Sequence, residues 1–145
     1  MLILPESGEI KIMDFGIARV SEMKGAGAGS DLTSAGMVMG TPDYMPPEQA
    51  QGQPADFRSD IYSLGVVLFE TFTGKLPFTG DTIMKIVMGH IQAPPPRPRG
   101  VNPKIPAELE AVILKCLAKA PEQRYQTCAE LLEALTAISS RSAAA

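Results

Sequence analysis

The chain has little with which to grip a polyanion: no run of lysine or arginine occurs, and its formal net charge is -3. A nucleic-acid surface and a polybasic membrane contact are therefore not expected. Long hydrophobic runs are also missing. The most apolar stretch, around Ile61 to Phe69, is broken by Tyr62 and Ser63 and falls well short of the roughly 20 residues a bilayer-spanning helix needs. Met1-Leu2-Ile3-Leu4 is too short, and lacks the preceding basic residues, to be a secretory signal. Only two cysteines are present, Cys116 and Cys128, with no histidine at metal-ligand spacing, so both are read as small buried thiols of a reducing, cytoplasmic setting. The single histidine, His90, has no acidic neighbour in sequence and is given no catalytic role. Internal repeats are absent.

What remains is enough for one core. A chain of 145 residues with 45% hydrophobic content suits a single compact domain. Two short apolar runs, Leu2 to Leu4 and Ile10 to Met13, flank the turn-forming Pro5-Glu6-Ser7-Gly8 and predict a small hairpin. Ser21 to Ala35 is rich in Gly, Ala and Ser, a composition that buries too little to offset its ordering entropy, and reads as a loop. Pro46 and Pro47 open a short helix ending near Gly52.

The segment from Asp60 to Phe72 is apolar on nearly every face and is closed by Gly74 and Pro77. It predicts a helical pillar surrounded by protein. Asp81 would cap a surface helix through Gly89, followed by an extended connector over Ala93 to Gly100. Next, Leu109, Val112, Ile113, Cys116 and Leu117 recur at helical spacing after Pro106. In the final helix, Thr127 and Glu130 form a capping box and Leu131, Leu132, Leu135 and Ile138 make the apolar stripe. The tail from Ser139 has no pattern and is expected to fray.

Four motifs stand in a fixed order along this frame. Asp14-Phe15-Gly16 follows the second strand, and Gly40-Thr41-Pro42-Asp43-Tyr44-Met45-Pro46-Pro47-Glu48 lies at loop distance from it. Asp60-Ile61-Tyr62-Ser63-Leu64-Gly65 and Pro121-Glu122-Gln123-Arg124-Tyr125 come later. Any one of these is weak evidence, but together, in this order, they are specific. From about Leu2 to Leu135 the chain resembles the C-terminal lobe of Hanks-type serine/threonine protein kinases, in wording most similar to the bacterial branch.

The resemblance implies a mainly α, protein-kinase-like C-lobe with a short N-terminal β-hairpin. It places a partial kinase domain at residues 1–138, with the activation segment at 14–48 and a disordered tail at 139–145. The implied reaction moves the γ-phosphoryl group of ATP to a protein serine or threonine hydroxyl, with Mg²⁺. Asp14 would hold the metal, a carboxylate being the hard oxygen donor Mg²⁺ prefers. Met13 would face the adenine, Phe15 would pack beneath the site, and Gly16 would permit the turn. Thr33 and Ser34 would be activation-loop phosphosites, and Thr41 would meet the catalytic aspartate and shape acceptor recognition. Glu48 would form a buried ion pair with Arg124. Asp60 would hold the catalytic loop, or else be a plain helix cap.

The family's His-Arg-Asp run, its glycine-rich phosphate loop and its phosphate-gripping strand lysine all precede the Asp-Phe-Gly and are not found among the thirteen residues ahead of Asp14. The expected partners are a protein substrate and the N-lobe of a parent kinase, and the polypeptide alone is expected to be inactive. The alternative reading is a non-catalytic, kinase-like docking or regulatory module.

Overall fold

The structure, a computed structural model, describes Leu2–Ile3, Ile10–Lys11 and residues 42–142. The chain divides into two compact units, Met1–Gly40 and Thr41–Ala145. In the first, strands β1 (Leu2–Ile3) and β2 (Ile10–Lys11) pair antiparallel, with Leu2 opposite Lys11 and Ile3 opposite Ile10. This is the expected hairpin, each strand shorter than its apolar run.

The second unit is helical. A 3-10 turn at Pro42–Tyr44 leads into α1 (Pro47–Ala50), for which Pro46 is the N-cap residue and Pro47 the first helical residue. Helix α2 (Phe57–Thr73) begins a turn earlier than expected, because Asp56 and not Asp60 is its cap: the Asp56 carboxylate accepts from the Arg58 N–H at 2.8 Å. At its far end Gly74 adopts φ 71°, a left-handed conformation natural to glycine, and its N–H closes on the Glu70 carbonyl at 2.7 Å.

Helix α2 buries one face rather than all of them. Ile61, Tyr62, Val66 and Phe69 are at most 1% exposed, whereas Phe57, Leu64 and Phe72 remain 41–54% exposed. Those three meet no covering element among the described residues. The buried face packs chiefly on α5 (Ala107–Cys116), whose Leu109, Val112, Ile113 and Cys116 are buried at the predicted spacing, together with Leu117 just beyond the helix.

The approach of α2 to α5 is set by Gly65. A Cβ on that residue would stand 2.6 Å from the Cys116 Cβ and 3.3 Å from the Cys116 carbonyl carbon. Gly65→Ala is therefore expected to cost about 1–3 kcal/mol, the usual penalty for overpacking, in urea unfolding. Cys116→Ala should not relieve it, since alanine keeps the offending Cβ.

Helix α3 (Ile83–Gln92) is capped by Thr82, whose hydroxyl accepts from the Lys85 N–H at 3.2 Å. Asp81, the expected cap, instead pairs with Lys85 one turn on at 2.8 Å. The proline-rich connector is extended only in its first half, since Pro98–Val101 forms a helical turn, α4, with Pro98 buried. Its preceding residue, Arg97, bonds the Glu110 carboxylate at 2.8 Å.

Helix α6 (Cys128–Ser142) opens on the expected capping box, with the Glu130 N–H donating to Thr127 Oγ1 at 3.1 Å and the Glu130 carboxylate accepting from the Gln126 N–H at 2.9 Å. Leu131 is buried, but Leu132 is 65% exposed. The stripe instead runs through Leu131, Ala134, Leu135 and Ile138, because position 132 falls on the adjoining face of a 3.6-residue helix. The helix continues through Ser142, so residues 139–142, expected to fray, are helical. Of the two thiols, Cys116 is buried as expected and Cys128 is exposed. Among the described residues no helix is long and apolar enough to cross a membrane.

Candidate functional site

Glu48 enters the site from the first turn of α1, and Arg124 from the segment just after a 3-10 turn at Pro121–Gln123. The two side chains meet as a two-pronged pair, Arg124 Nη1 donating to Glu48 Oε1 and Nη2 to Oε2, both at 2.8 Å. Arg124 is 1% exposed and Glu48 5%. Burial would push the Glu48 carboxyl up, but the bonds from Arg124 and from Ser59 Oγ, the latter at 2.5 Å, outweigh it and hold it below the usual carboxylate range.

Arg124 spends its remaining donors on backbone oxygens. Nε donates to the Ala118 carbonyl at 2.8 Å, Nη1 to Arg58 at 2.9 Å and Nη2 to Lys119 at 2.9 Å. All five guanidinium N–H groups are thus satisfied. The planar fork is what lets one side chain tie α1, the start of α2 and the loop after α5 together.

The guanidinium also lies over the Tyr62 ring, with Cζ 4.9 Å from its centroid. The Tyr62 hydroxyl in turn reaches His90 Nδ1 at 2.9 Å. His90 is completely buried and packs edge-on against Tyr62 and Phe78. Burial first, and the nearby Lys119 charge second, lower its pKa to about 4. Lys119 donates to the Gly89 and His90 carbonyls at 3.0 and 2.7 Å, holding the C-terminal end of α3. Sequence reading passed over His90 because a lone histidine without acidic neighbours carries no local signal. Its setting is made by residues from α2, α3 and two loops.

The turn before α1 is tied to α2. Tyr44 donates from its hydroxyl to Glu70 Oε2 at 2.6 Å, and Ser63 Oγ donates to the Tyr44 carbonyl at 2.9 Å. The Glu70 bond, with burial, raises the Tyr44 phenol to about 12, so it remains a donor throughout the physiological range.

Of the residues singled out from sequence, the structure brings Glu48 and Arg124 together. Asp60 stands exposed in the first turn of α2, four residues past the cap. Met13, Asp14, Phe15, Gly16, Thr33, Ser34 and Thr41 lie outside the described residues. Among the described residues no group of three or more His, Cys, Asp or Glu is placed to hold a metal ion; Asp14, expected to hold Mg²⁺, is not one of them.

The sequence matches the family described as "Protein kinase domain" over residues 1–135. It is 45% identical over 130 residues to the serine/threonine-protein kinase PknB of Mycobacterium tuberculosis, covering 90% of this chain and 20% of that protein. To the serine/threonine-protein kinase Pkn1 of Myxococcus xanthus it is 43% identical over 126 residues, covering 87% and 18%. The chain thus spans about a fifth of the length of the curated relatives it matches. Among solved structures, the twitchin kinase region from C. elegans aligns with a TM-score of 0.59 at 24% identity, covering 63% of this chain and 16% of that one. That likeness shows the fold. With the family match spanning nearly the whole chain, the chain belongs to the protein kinase domain family, as a C-lobe of the bacterial Hanks-type serine/threonine kinases.

Proposed function

We propose that this chain supplies the acceptor-side half of an enzyme that transfers the γ-phosphoryl group of ATP to serine or threonine hydroxyls of a protein substrate. The observation that carries the reading is the fully bonded Glu48–Arg124 pair. It fixes the end of the segment that starts at Asp14-Phe15-Gly16, and an acceptor groove needs such a fixed wall because phosphoryl transfer depends on positioning and electrostatics more than on covalent chemistry. In this reading Asp14 binds the magnesium ion that accompanies ATP and Met13 faces the adenine. Thr41 meets the catalytic aspartate, Pro42 to Met45 line the acceptor groove, and Thr33 and Ser34 receive the activating phosphate.

The test uses radiolabelled ATP, Mg²⁺ and a protein acceptor. The 145-residue polypeptide alone is expected to show no transfer, because the general base and the phosphate-gripping lysine are not among its residues. Joined in one polypeptide to the preceding segments of a bacterial serine/threonine kinase, it is expected to support transfer that Asp14→Asn abolishes. Transfer that survives Asp14→Asn would overturn the assignment of the metal ligand. A joined protein that never transfers phosphate would instead favour a docking role for the lobe.

A further inference from the structure

The formal charge of -3 is unevenly spread along the chain. Between Glu70 and Glu108 stand five lysines and arginines, Lys75, Lys85, Arg97, Arg99 and Lys104, against the single carboxylate of Asp81, a net of +4. Two of the five are already paired. Lys85 meets Asp81, and Arg97 meets the buried Glu110, whose other oxygen accepts from the Arg99 N–H at 2.8 Å. Lys75, Arg99 and Lys104 are exposed, and none of the three side chains has an ion-pair partner among the described residues.

The fold gathers these three cations at one joint. Asn102, just past α4, donates from its side-chain amide to the Phe72 carbonyl in the last turn of α2 at 2.9 Å, and its Oδ1 accepts from the Lys104 N–H at 3.1 Å. Arg99 stands three residues before Asn102, Lys104 two after it, and Lys75 three beyond Phe72. At about 3.8 Å per Cα step, all three backbones lie within roughly 12 Å of the joint. Thr73 Oγ1 keeps the turn after α2 tight, accepting from the Lys75 N–H at 3.2 Å and donating to the Lys75 carbonyl at 3.0 Å. The same joint carries apolar surface, since Phe72 and Val101, one from each side of it, are both exposed.

We propose that this joint between α2 and α4 is a docking surface for an acidic segment of a partner protein, whose carboxylates meet Lys75, Arg99 and Lys104 while an apolar side chain covers Phe72 and Val101. Charge complementarity selects that occupant. A nucleic acid or an anionic bilayer draws its affinity from many cations, and three are few, whereas exposed apolar groups rimmed by charge suit a protein. The patch is small, so binding is weak and falls as salt rises. Docking is independent of phosphoryl transfer, and its test needs no ATP.

The probe is a fluorescein-labelled peptide, Glu-Glu-Leu-Glu-Glu-Leu-Glu-Glu, titrated with the 145-residue chain and read by fluorescence anisotropy at low salt. Lys75→Gln combined with Lys104→Gln is expected to weaken binding about tenfold, the scale of two exposed ion pairs, and Arg99→Gln about threefold. Lys85→Gln combined with Lys115→Gln removes the same charge elsewhere and should leave Kd within about twofold. Phe72→Ser should weaken binding about threefold through lost apolar contact, and the peptide with glutamine in place of glutamate should not bind. The lysine changes are at exposed positions and leave the fold intact, which equal urea midpoints would verify, so a loss there reads on binding. No binding of the acidic peptide at low salt overturns the proposal. So does an equal loss in the two double variants, which reduces the effect to net charge, or tighter binding of phosphatidylserine vesicles or polyuridylate than of the peptide.

Discussion

Arg124→Ala is expected to destabilise the helical unit by about 3–5 kcal/mol, the range for removing one partner of a buried ion pair. The loss has two sources. Glu48, 5% exposed, keeps a buried charge with Ser59 Oγ as its one remaining side-chain partner among the described residues, and the carbonyls of Arg58, Ala118 and Lys119 lose their donor. Urea unfolding measures the sum, and a second variant separates the parts. In Arg124→Met with Glu48→Leu the stranded carboxylate is gone but the three carbonyls remain unpaired, so this double variant should recover part of the loss and not all of it. Arg124→Lys should fall between, because an ammonium is a point charge that cannot reach five acceptors in one plane. If Arg124→Ala costs under 1 kcal/mol, the pair is not the tie described above.

The pair also carries a pH signature. Glu48 has its carboxyl held down in the folded state, so its contribution is present above the unfolded carboxylate pKa and fades as pH falls through the folded value.

His90 should make the lobe sensitive to acid well before the carboxylates do. Its folded pKa of about 4 lies below the ordinary 6.5, so between those values the unfolded chain binds a proton that the folded chain refuses. Stability is therefore complete above pH 6.5 and declines as pH falls toward 4. The whole interval is worth about 3 kcal/mol, with roughly 2 kcal/mol of it lost between pH 7 and 5. Chemical unfolding at pH 7, 6 and 5 measures the slope, and the slope of His90→Phe should be nearly flat over the same window. The comparison isolates the histidine from Glu48, Asp56 and Glu110, whose lowered pKa values place their losses further into acid. Parallel slopes in the two proteins would show that the ring is charged without penalty, contrary to its burial.

The order of elements was legible because each announces itself over a few residues. Prolines mark the starts of α1, α4 and α5, Gly74 ends α2, and Thr127 with Glu130 opens α6. The misplacements are equally local in cause. Asp56 and Asp60 are both plausible caps one turn apart, as are Asp81 and Thr82, and only backbone geometry chooses between them. Leu131 and Leu132 are equally apolar, yet only one can face α5. The apolar sequence of α2 suggested burial all round, whereas among the described residues it is covered on one face, since hydrophobicity states what a helix would bury and not which partner is at hand.

From sequence alone came the family, the helical frame and the expectation that Glu48 would meet Arg124, because motif order and hydrophobic period are one-dimensional signals. The structure alone decided that Arg124 binds three backbone carbonyls besides, that Gly65 is the contact point of α2 and α5, and that a solitary buried histidine meets the Tyr62 hydroxyl with its other ring nitrogen unpartnered among the described residues. Those features depend on atoms far apart in the chain arriving at the same place, and residue order carries no distance between them until the core has closed.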